Sequence, residues 1–292
     1  MTATVGFIGT GNMGAALARA VCKTVPPQQV LLTNRTPAKA EALAEELGCA
    51  AGTNEEVARA CRLIFLGVKP QVMGEMLASL TPVLKEREDC FVLVTMAAGL
   101  TCARIREMAG VDCPVIRVMP NTPAAIGEGV LQFCGLGTTE EDMASFRNLM
   151  APAGLVDQVP EGLIDAASCV SGCGPAFAYL FLEALADGGV ACGLPRDKAL
   201  AYAAQMLAGS ARMVLETGAH PGALKDAVCS PGGSTIQGVR ALEKGGLRAA
   251  AMDAVLAAYE KTQELGTNKG QAEPGRTGER PCPPVPELNK GV

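Results

Sequence analysis

Residues 9–14 carry three glycines in a Gly-x-Gly-x-x-Gly pattern, between a short apolar run and the start of a helical pattern. In that context the first glycine permits a tight turn, the second lets a phosphate approach the backbone, and the third allows the helix to pack on the strand. The free N–H groups at the start of the helix then attract an anion. The pattern predicts a strand-turn-helix that binds the pyrophosphate of a dinucleotide, with a flexible glycine turn as the alternative.

Apolar runs alternate with helical patterns through the first 160 residues. Such alternation is typical of parallel strands that are covered by helices on both faces. The expected strands lie at 4–8, 30–33, 63–68, 90–95, 115–119, 129–134 and 155–159, and the expected helices at 12–24, 37–47, 71–85, 101–109 and 139–151. We therefore predict an α/β Rossmann-type domain that binds NAD(P) over residues 1–160.

The strand signals stop near residue 161. Helical patterns separated by Gly and Pro follow at 161–172, 175–193, 196–217, 221–228, 234–245 and 247–265. The segment 196–217 is apolar around most of its circumference, and such a helix must be buried. Because one small helical domain offers little room to bury it, we predict an all-α dimerisation domain over residues 161–265 and a homo-oligomer.

Composition sets further expectations. The net charge of −5 argues against nucleic acid or an anionic membrane as a partner, and Glu183 and Asp187 interrupt the longest apolar stretch. The twelve cysteines include no Cys-x-x-Cys pair, and the sequence contains a single histidine, which predicts that there is no metal site. No secretion signal is visible. We therefore expect a cytoplasmic protein whose cysteines are reduced thiols. Residues 266–292 contain five prolines and no apolar period, which predicts a disordered tail.

Asn34, Arg35 and Thr36 directly follow the second expected strand. A protein that binds NAD usually places Asp or Glu there, to accept hydrogen bonds from the ribose 2′-hydroxyl. An arginine among small polar side chains instead suits a 2′-phosphate. The segment favours NADPH over NADH as the cofactor, although a solvated surface arginine would give the same pattern.

Other small or polar segments follow predicted strands at the edge where an open α/β sheet binds its ligand. Small residues at 97–99 would let the backbone lie against ribose and nicotinamide, whereas Lys69 either contacts the cofactor or is solvated. The candidate cofactor-binding residues are Ile8, Gly9, Thr10, Gly11, Asn12, Met13, Asn34, Arg35, Thr36, Asn54, Gly67, Val68, Lys69, Pro70, Ala97, Ala98 and Gly99.

A second anion site is predicted in the helical half. Residues 228–235 combine two glycines, three hydroxyls and the start of a helix, which suits a carboxylate. A helix cap would need only one Ser or Thr. The candidate substrate-binding residues of this loop are Ser230, Gly232, Gly233, Ser234 and Thr235.

Residues 4–265 resemble the Δ1-pyrroline-5-carboxylate reductase family, which makes proline. The resemblance rests on the motifs at 7–13, 68–70, 97–99, 119–123 and 171–176, and above all on Asp226-x-Val228-x-Ser230-Pro231-Gly232-Gly233-x-Thr235. The chain departs from the family at Cys173 and Cys229, where Ser or Thr is more frequent. These two changes keep the side-chain size and weaken hydrogen bonding.

The resemblance implies that NADPH reduces the C=N bond of a cyclic imine that carries a carboxylate. It implies that the 230–235 loop binds this carboxylate, that Thr235 is the catalytic residue beside the ring nitrogen, and that Glu161 lies on the substrate side. It also implies dimers, or rings of five dimers. A β-hydroxyacid dehydrogenase, a broad imine reductase and a non-catalytic NADPH-binding regulator are the alternatives.

Overall fold

One eight-stranded sheet forms the N-terminal half of the chain. The computed structural model describes residues 4–267. The strands are β1 Val5–Ile8, β2 Val30–Thr33, β3 Ala50–Ala51, β4 Leu63–Leu66, β5 Val92–Thr95, β6 Val115–Met119, β7 Gly129–Leu136 and β8 Gly154–Gln158. They are ordered β3-β2-β1-β4-β5-β6-β7-β8, so the chain changes direction across the sheet between β1 and β4. This is the switch point at which such sheets bind ligands.

Helices cover both faces of the sheet. They are α1 Asn12–Val21, α2 Pro37–Leu47, α3 Asn54–Ala60, α4 Pro70–Lys85, α5 Cys102–Ala109 and α6 Glu140–Met150. Alternate strand residues point into two buried apolar clusters, with Phe7 and Phe65 stacked on one face and Ile8 and Leu66 on the other. Burial on both faces explains why these strands are continuous apolar runs.

The C-terminal half is entirely helical within the described residues. Its helices are α7 Glu161–Ser171, α8 Gly174–Ala191, α9 Arg196–Thr217, α10 Pro221–Ala227, α11 Ser234–Lys244 and α12 Leu247–Thr267. A Rossmann-type domain followed by a helical domain confirms the predicted fold class.

The apolar faces of these helices are largely open in the single chain. Only Ala186 of α8 and Ala199 and Ala203 of α9 are buried, whereas Tyr202 is 59% exposed and Leu215 is 79% exposed. The run from Glu161 to Ala191 is also long and apolar enough to cross a membrane, judged by length and composition alone. It is divided between α7 and α8. The prediction that no membrane is involved stays a prediction.

The structure corrects the sequence-based assignment at several points. Strand β7 runs antiparallel to β6, because nine residues connect them and a parallel crossover needs a dozen or more. The two-residue strand β3 and the short helix α3 were not predicted, since neither is long enough to show a period. Helix α12 continues to Thr267, two residues into the predicted tail; the rest of that tail lies outside the described residues.

Candidate active site

The turn after β1 depends on glycine at two of its three positions. Gly9 has φ of +103°, and a Cβ there would lie 2.6 Å from the carbonyl oxygen of Gly67. A Cβ on Gly14 would collide with the carbonyl oxygen of Gly9. Around Gly11, however, a Cβ would meet nothing within 4 Å. The fold therefore requires Gly9 and Gly14, whereas Gly11 leaves open space above the turn.

The first turn of α1 has no side-chain cap below that space. Gly11 is the N-cap of α1 and supplies no side-chain hydrogen bond to the first turn. The hydroxyl of Thr10 is buried and has no hydrogen-bond partner among the described residues. The N–H of Thr10 donates to Oδ1 of Asn34 at 3.3 Å, which ties the turn to the end of β2. The uncapped N–H groups of the first turn of α1 fit an anionic diphosphate at the helix N-terminus.

A cavity of about 720 Å³ opens over the turn, at the carboxyl ends of β1, β2 and β4. That volume is within the range of small-molecule and cofactor sites. The residues that line it are Ile8, Gly9, Gly11, Asn34, Arg35, Thr36, Lys39, Asn54, Gly67, Val68, Lys69, Val72, Glu75, Met76 and Ser79. Ten predicted cofactor-binding residues thus share one cavity.

The other predicted cofactor-binding residues do not line the cavity. Thr10, Asn12 and Met13 belong to the same turn and the start of α1, and Pro70 is the first residue of α4. Residues 97–99 follow β5, where Ala97 is buried and its N–H donates to the hydroxyl of Thr95 at 3.2 Å. Their roles toward a cofactor stay predictions.

Three cationic side chains surround the mouth of the cavity. Arg35, Lys39 and Lys69 are exposed, and none of them has an ion pair or side-chain hydrogen bond within residues 4–267. Lys39 was not predicted from the sequence. It lies in the first turn of α2, four residues after Arg35. Unpaired cations at this edge favour a ligand with several negative charges.

The 230–235 loop leads into α11. Gly232 has φ of +72°, the N–H of Gly233 donates to the carbonyl of Ser230 at 3.0 Å, and Gly233 caps α11 without a side-chain hydrogen bond. Ser230 and Thr235 are exposed. The first N–H groups of α11 are therefore open to an anion. No residue of this loop lines the 720 Å³ cavity, so the two predicted halves of the site are not joined there.

Glu161 is held at the junction of the two domains. Its Oε1 accepts the backbone N–H of Cys102 at 2.7 Å, and it lies 3.9 Å from Nη1 of Arg117. Arg117 is buried and also pairs with Asp165 of α7. The Glu161 carboxylate thus accepts a backbone N–H group at the start of α5. The sequence did not predict this contact. Its predicted role beside the substrate stays a prediction.

The switch-point cavity, the glycine turn and the helical domain together define a dinucleotide-binding oxidoreductase with a dimerisation domain. Residues 4–99 match the family model described as NADP oxidoreductase coenzyme F420-dependent. Residues 161–265 match the model described as Pyrroline-5-carboxylate reductase dimerisation.

Similarity to known proteins extends over almost the whole chain. The chain is 43% identical to a pyrroline-5-carboxylate reductase from Arabidopsis thaliana, with 89% of this chain and 95% of that protein covered. The Escherichia coli enzyme is 41% identical over 91% of this chain and 99% of its own. The solved structure of Plasmodium falciparum pyrroline carboxylate reductase with NADP bound superposes with a TM-score of 0.81, at 33% identity, over 90% of this chain and 98% of that one. The chain belongs to the pyrroline-5-carboxylate reductase family, which confirms the resemblance stated above.

Proposed function

We propose that this chain reduces Δ1-pyrroline-5-carboxylate to proline with NADPH, the final step of proline biosynthesis. The observation that carries the proposal is the 720 Å³ cavity, which joins the glycine turn to Arg35 in a chain that matches this family over both domains. When bound, the nicotinamide ring supplies a hydride to the C=N carbon of the substrate. The protein holds the two reacting carbons together and neutralises the charges on both molecules.

The cofactor half of the site binds by charge and by backbone. The first turn of α1 donates N–H groups to the pyrophosphate across the open space at Gly11. Arg35 and Lys39 neutralise the 2′-phosphate beside the ribose. The Plasmodium falciparum relative is described with NADP bound, which supports this choice. NADH lacks the 2′-phosphate and is expected to bind more weakly.

The substrate half of the site is the 230–235 loop. The free N–H groups of α11 and the hydroxyls of Ser230 and Ser234 hold the carboxylate, while Thr235 makes a hydrogen bond to the ring nitrogen. A protonated imine is already electrophilic, so the reaction needs no strong acid from the protein. The single histidine, His220, is consistent with this: its Nδ1 accepts the N–H of Gly222 at 3.0 Å and so caps α10.

We further propose that a second copy of the chain completes the site. The cavity is lined by residues of the N-terminal domain alone, and the 230–235 loop is exposed. The open apolar faces of α8 and α9 need a covering surface, and the match to a dimerisation model supports a second copy as that surface. Assembly beyond the dimer, up to the decamer implied by the resemblance, rests on that resemblance alone.

The direct test is an assay of NADPH oxidation with pyrroline-5-carboxylate and the full-length chain. Steady oxidation that depends on the substrate is expected, with NADH used less well. The matched control replaces pyrroline-5-carboxylate with a β-hydroxyacid and oxidised cofactor. Turnover of the hydroxyacid without turnover of the imine would contradict the proposal, and so would tight NADPH binding without any turnover.

A further inference from the structure

Two buried cysteine sulfurs lie in contact near the junction of the domains. Cys102 is the first residue of α5, and Cys134 lies on β7. Their Sγ atoms are 3.8 Å apart, and both residues are buried. Neither one lines the cofactor cavity or belongs to the 230–235 loop. The proposed reaction leaves this pair unexplained.

A buried arginine lies beside Cys134, with Asp165 and Glu161 as its carboxylate partners. Arg117 lies directly opposite Cys134 in the register of β6 and β7, so the two side chains share one face of the sheet. Its guanidinium is 2% exposed, and its Nε has no partner among the described residues. The hydrogen bond between the two thiols lowers the pKa of Cys134 most and the charge of Arg117 lowers it further, whereas burial and Glu161 raise it. The same hydrogen bond, together with burial, raises the pKa of Cys102.

Cys134 can also be reached from outside. It lines a second cavity of about 600 Å³ together with Glu161, Arg147 and Gln158. This space is far larger than a hydrogen peroxide molecule needs. A second sulfur in contact, an access route and a lowered pKa are the three features of a redox-sensitive cysteine with a resolving partner.

We propose that Cys134 and Cys102 form an oxidation site, in which hydrogen peroxide oxidises Cys134 and Cys102 closes a disulfide. The Cys134 thiolate attacks one peroxide oxygen, the O–O bond breaks, and a sulfenic acid forms with release of hydroxide. The Cys102 sulfur then attacks the Cys134 sulfur, and the S–OH oxygen leaves as water with the Cys102 proton. The two sulfurs lose two electrons in total, and the peroxide is reduced to water.

A metal ion is the other occupant to consider for this pair. Donor atoms of Cys102, Cys134 and Glu161 lie within 4.8 Å of one another. Glu161 already accepts the N–H of Cys102, however, and the Arg117 guanidinium 3.9 Å from its carboxylate repels a cation. The charges therefore favour oxidation over metal binding.

The chain contains a matched control in a second sulfur pair. Cys22 and Cys49 have Sγ atoms only 3.3 Å apart, closer than the first pair, and both are half-buried. Burial raises the pKa of Cys22, and burial with the neighbouring thiol raises that of Cys49 to about 12. Distance alone therefore predicts that Cys22 and Cys49 oxidise first, whereas the thiolate argument predicts the opposite order.

The test treats the full-length protein with hydrogen peroxide, blocks the remaining thiols by alkylation and maps cross-linked peptides by mass spectrometry. The 102–134 cross-link is expected to form about ten-fold faster than the 22–49 cross-link, and to lose this advantage in urea. In Cys102→Ser, a sulfenic acid trapped by dimedone should accumulate on Cys134. In the control variant Cys49→Ser, the rate at 102–134 should not change.

Three results would overturn the proposal. One is a 22–49 cross-link that forms first, and another is a 102–134 pair that stays reduced in the folded protein. The third is protection of both thiols from alkylation by added Zn²⁺ alone, which would make the pair a metal site. The mapping on the unmodified chain decides the question even if a serine variant fails to fold.

Discussion

Gly11 is the one glycine of the turn after β1 that the fold itself does not require. Its φ of −68° is accessible to any residue, and a Cβ would meet open space. We expect Gly11→Asp to fold normally, and even to gain a few tenths of a kcal/mol, because aspartate is a good N-cap for α1. The same carboxylate should abolish NADPH binding, because it occupies the pyrophosphate position and repels the negatively charged pyrophosphate.

Thermal unfolding and a cofactor-binding titration check the two halves of this prediction. The control is Gly14→Ala, whose methyl group collides with the Gly9 carbonyl and should cost about 1–3 kcal/mol of stability. If Gly11→Asp binds NADPH as the unmodified chain does, the pyrophosphate does not lie on this turn.

Arg35 is the residue that should decide between the two cofactors. It is exposed at the cavity without an ion-pair partner among residues 4–267. We expect Arg35→Ala to raise the KM for NADPH about ten-fold, the loss of one charge-assisted hydrogen bond, and to leave the KM for NADH almost unchanged. Lys85→Ala, which removes an exposed cation outside the cavity, is the control. An equal effect on both cofactors would mean that Arg35 does not contact the 2′-phosphate.

Thr235 should act on the substrate and not on the cofactor. Its hydroxyl is exposed in the first turn of α11 and makes no hydrogen bond within the described part of the chain. Losing a hydrogen bond to a charged substrate group costs roughly 1.5–3 kcal/mol, so Thr235→Ala should lower kcat/KM about ten- to a hundred-fold. The dissociation constant of NADPH should stay the same. Thr235→Ser, which keeps the hydroxyl, should retain most of the activity.

At the scale of single residues, the sequence predicted site residues that directly follow a strand. It missed those that the fold brings together from distant parts of the chain. Arg35 was predictable because it directly follows a strand. Lys39 was not, because its place at the cavity depends on the direction in which α2 leaves the sheet. The bond between Glu161 and the N–H of Cys102 joins residues 59 positions apart. No local pattern contains that information.

Among the secondary-structure elements, a buried ion pair joins β6 of the N-terminal domain to α7 of the helical domain. Arg117 of β6 is 2% exposed and pairs with Asp165 of α7. Removing Asp165 leaves the buried guanidinium with only the longer contact to Glu161, at 3.9 Å, in a poorly solvated place. We expect Asp165→Ala to lower the free energy of unfolding by about 3 kcal/mol, measured by urea denaturation.

The exposed pair of Arg59 and Glu86 is the matched control for that measurement. Both side chains are more than 60% exposed, so Glu86→Ala should cost less than about 1 kcal/mol. If the two variants lose equal stability, Arg117 is solvated more fully than its burial indicates.

The two elements that the sequence failed to predict, β3 and α3, are both too short to show a period. Periodicity identifies an element only when it is long enough to repeat, and β3 has two residues. The antiparallel direction of β7 was hidden for a different reason, because an apolar strand buried on both faces has the same pattern in either direction. The length of its connection to β6 was the available signal.

For the whole molecule, the open apolar faces of the helical domain and the incomplete cavity both favour a dimer in which a second copy of the chain completes the site. If a second copy supplies the 230–235 loop, two inactive halves from different chains can form one working site. Gly11→Asp chains keep an intact substrate loop, and Thr235→Ala chains keep an intact cofactor cavity. The Gly11→Asp chain alone should be inactive, and the Thr235→Ala chain alone should keep only about 1–10% of the unmodified kcat/KM.

Co-expression of the two variants in equal amounts should therefore restore activity. Random pairing brings an intact cavity to an intact loop at about a quarter of the sites, so about a quarter of the unmodified activity is expected. Mixing the purified proteins without subunit exchange gives the baseline for comparison. If the site lies within one chain, co-expression gives only the average of the two variants, because no chain then carries both intact halves. That result would leave the family assignment in place and remove the second copy from the active site.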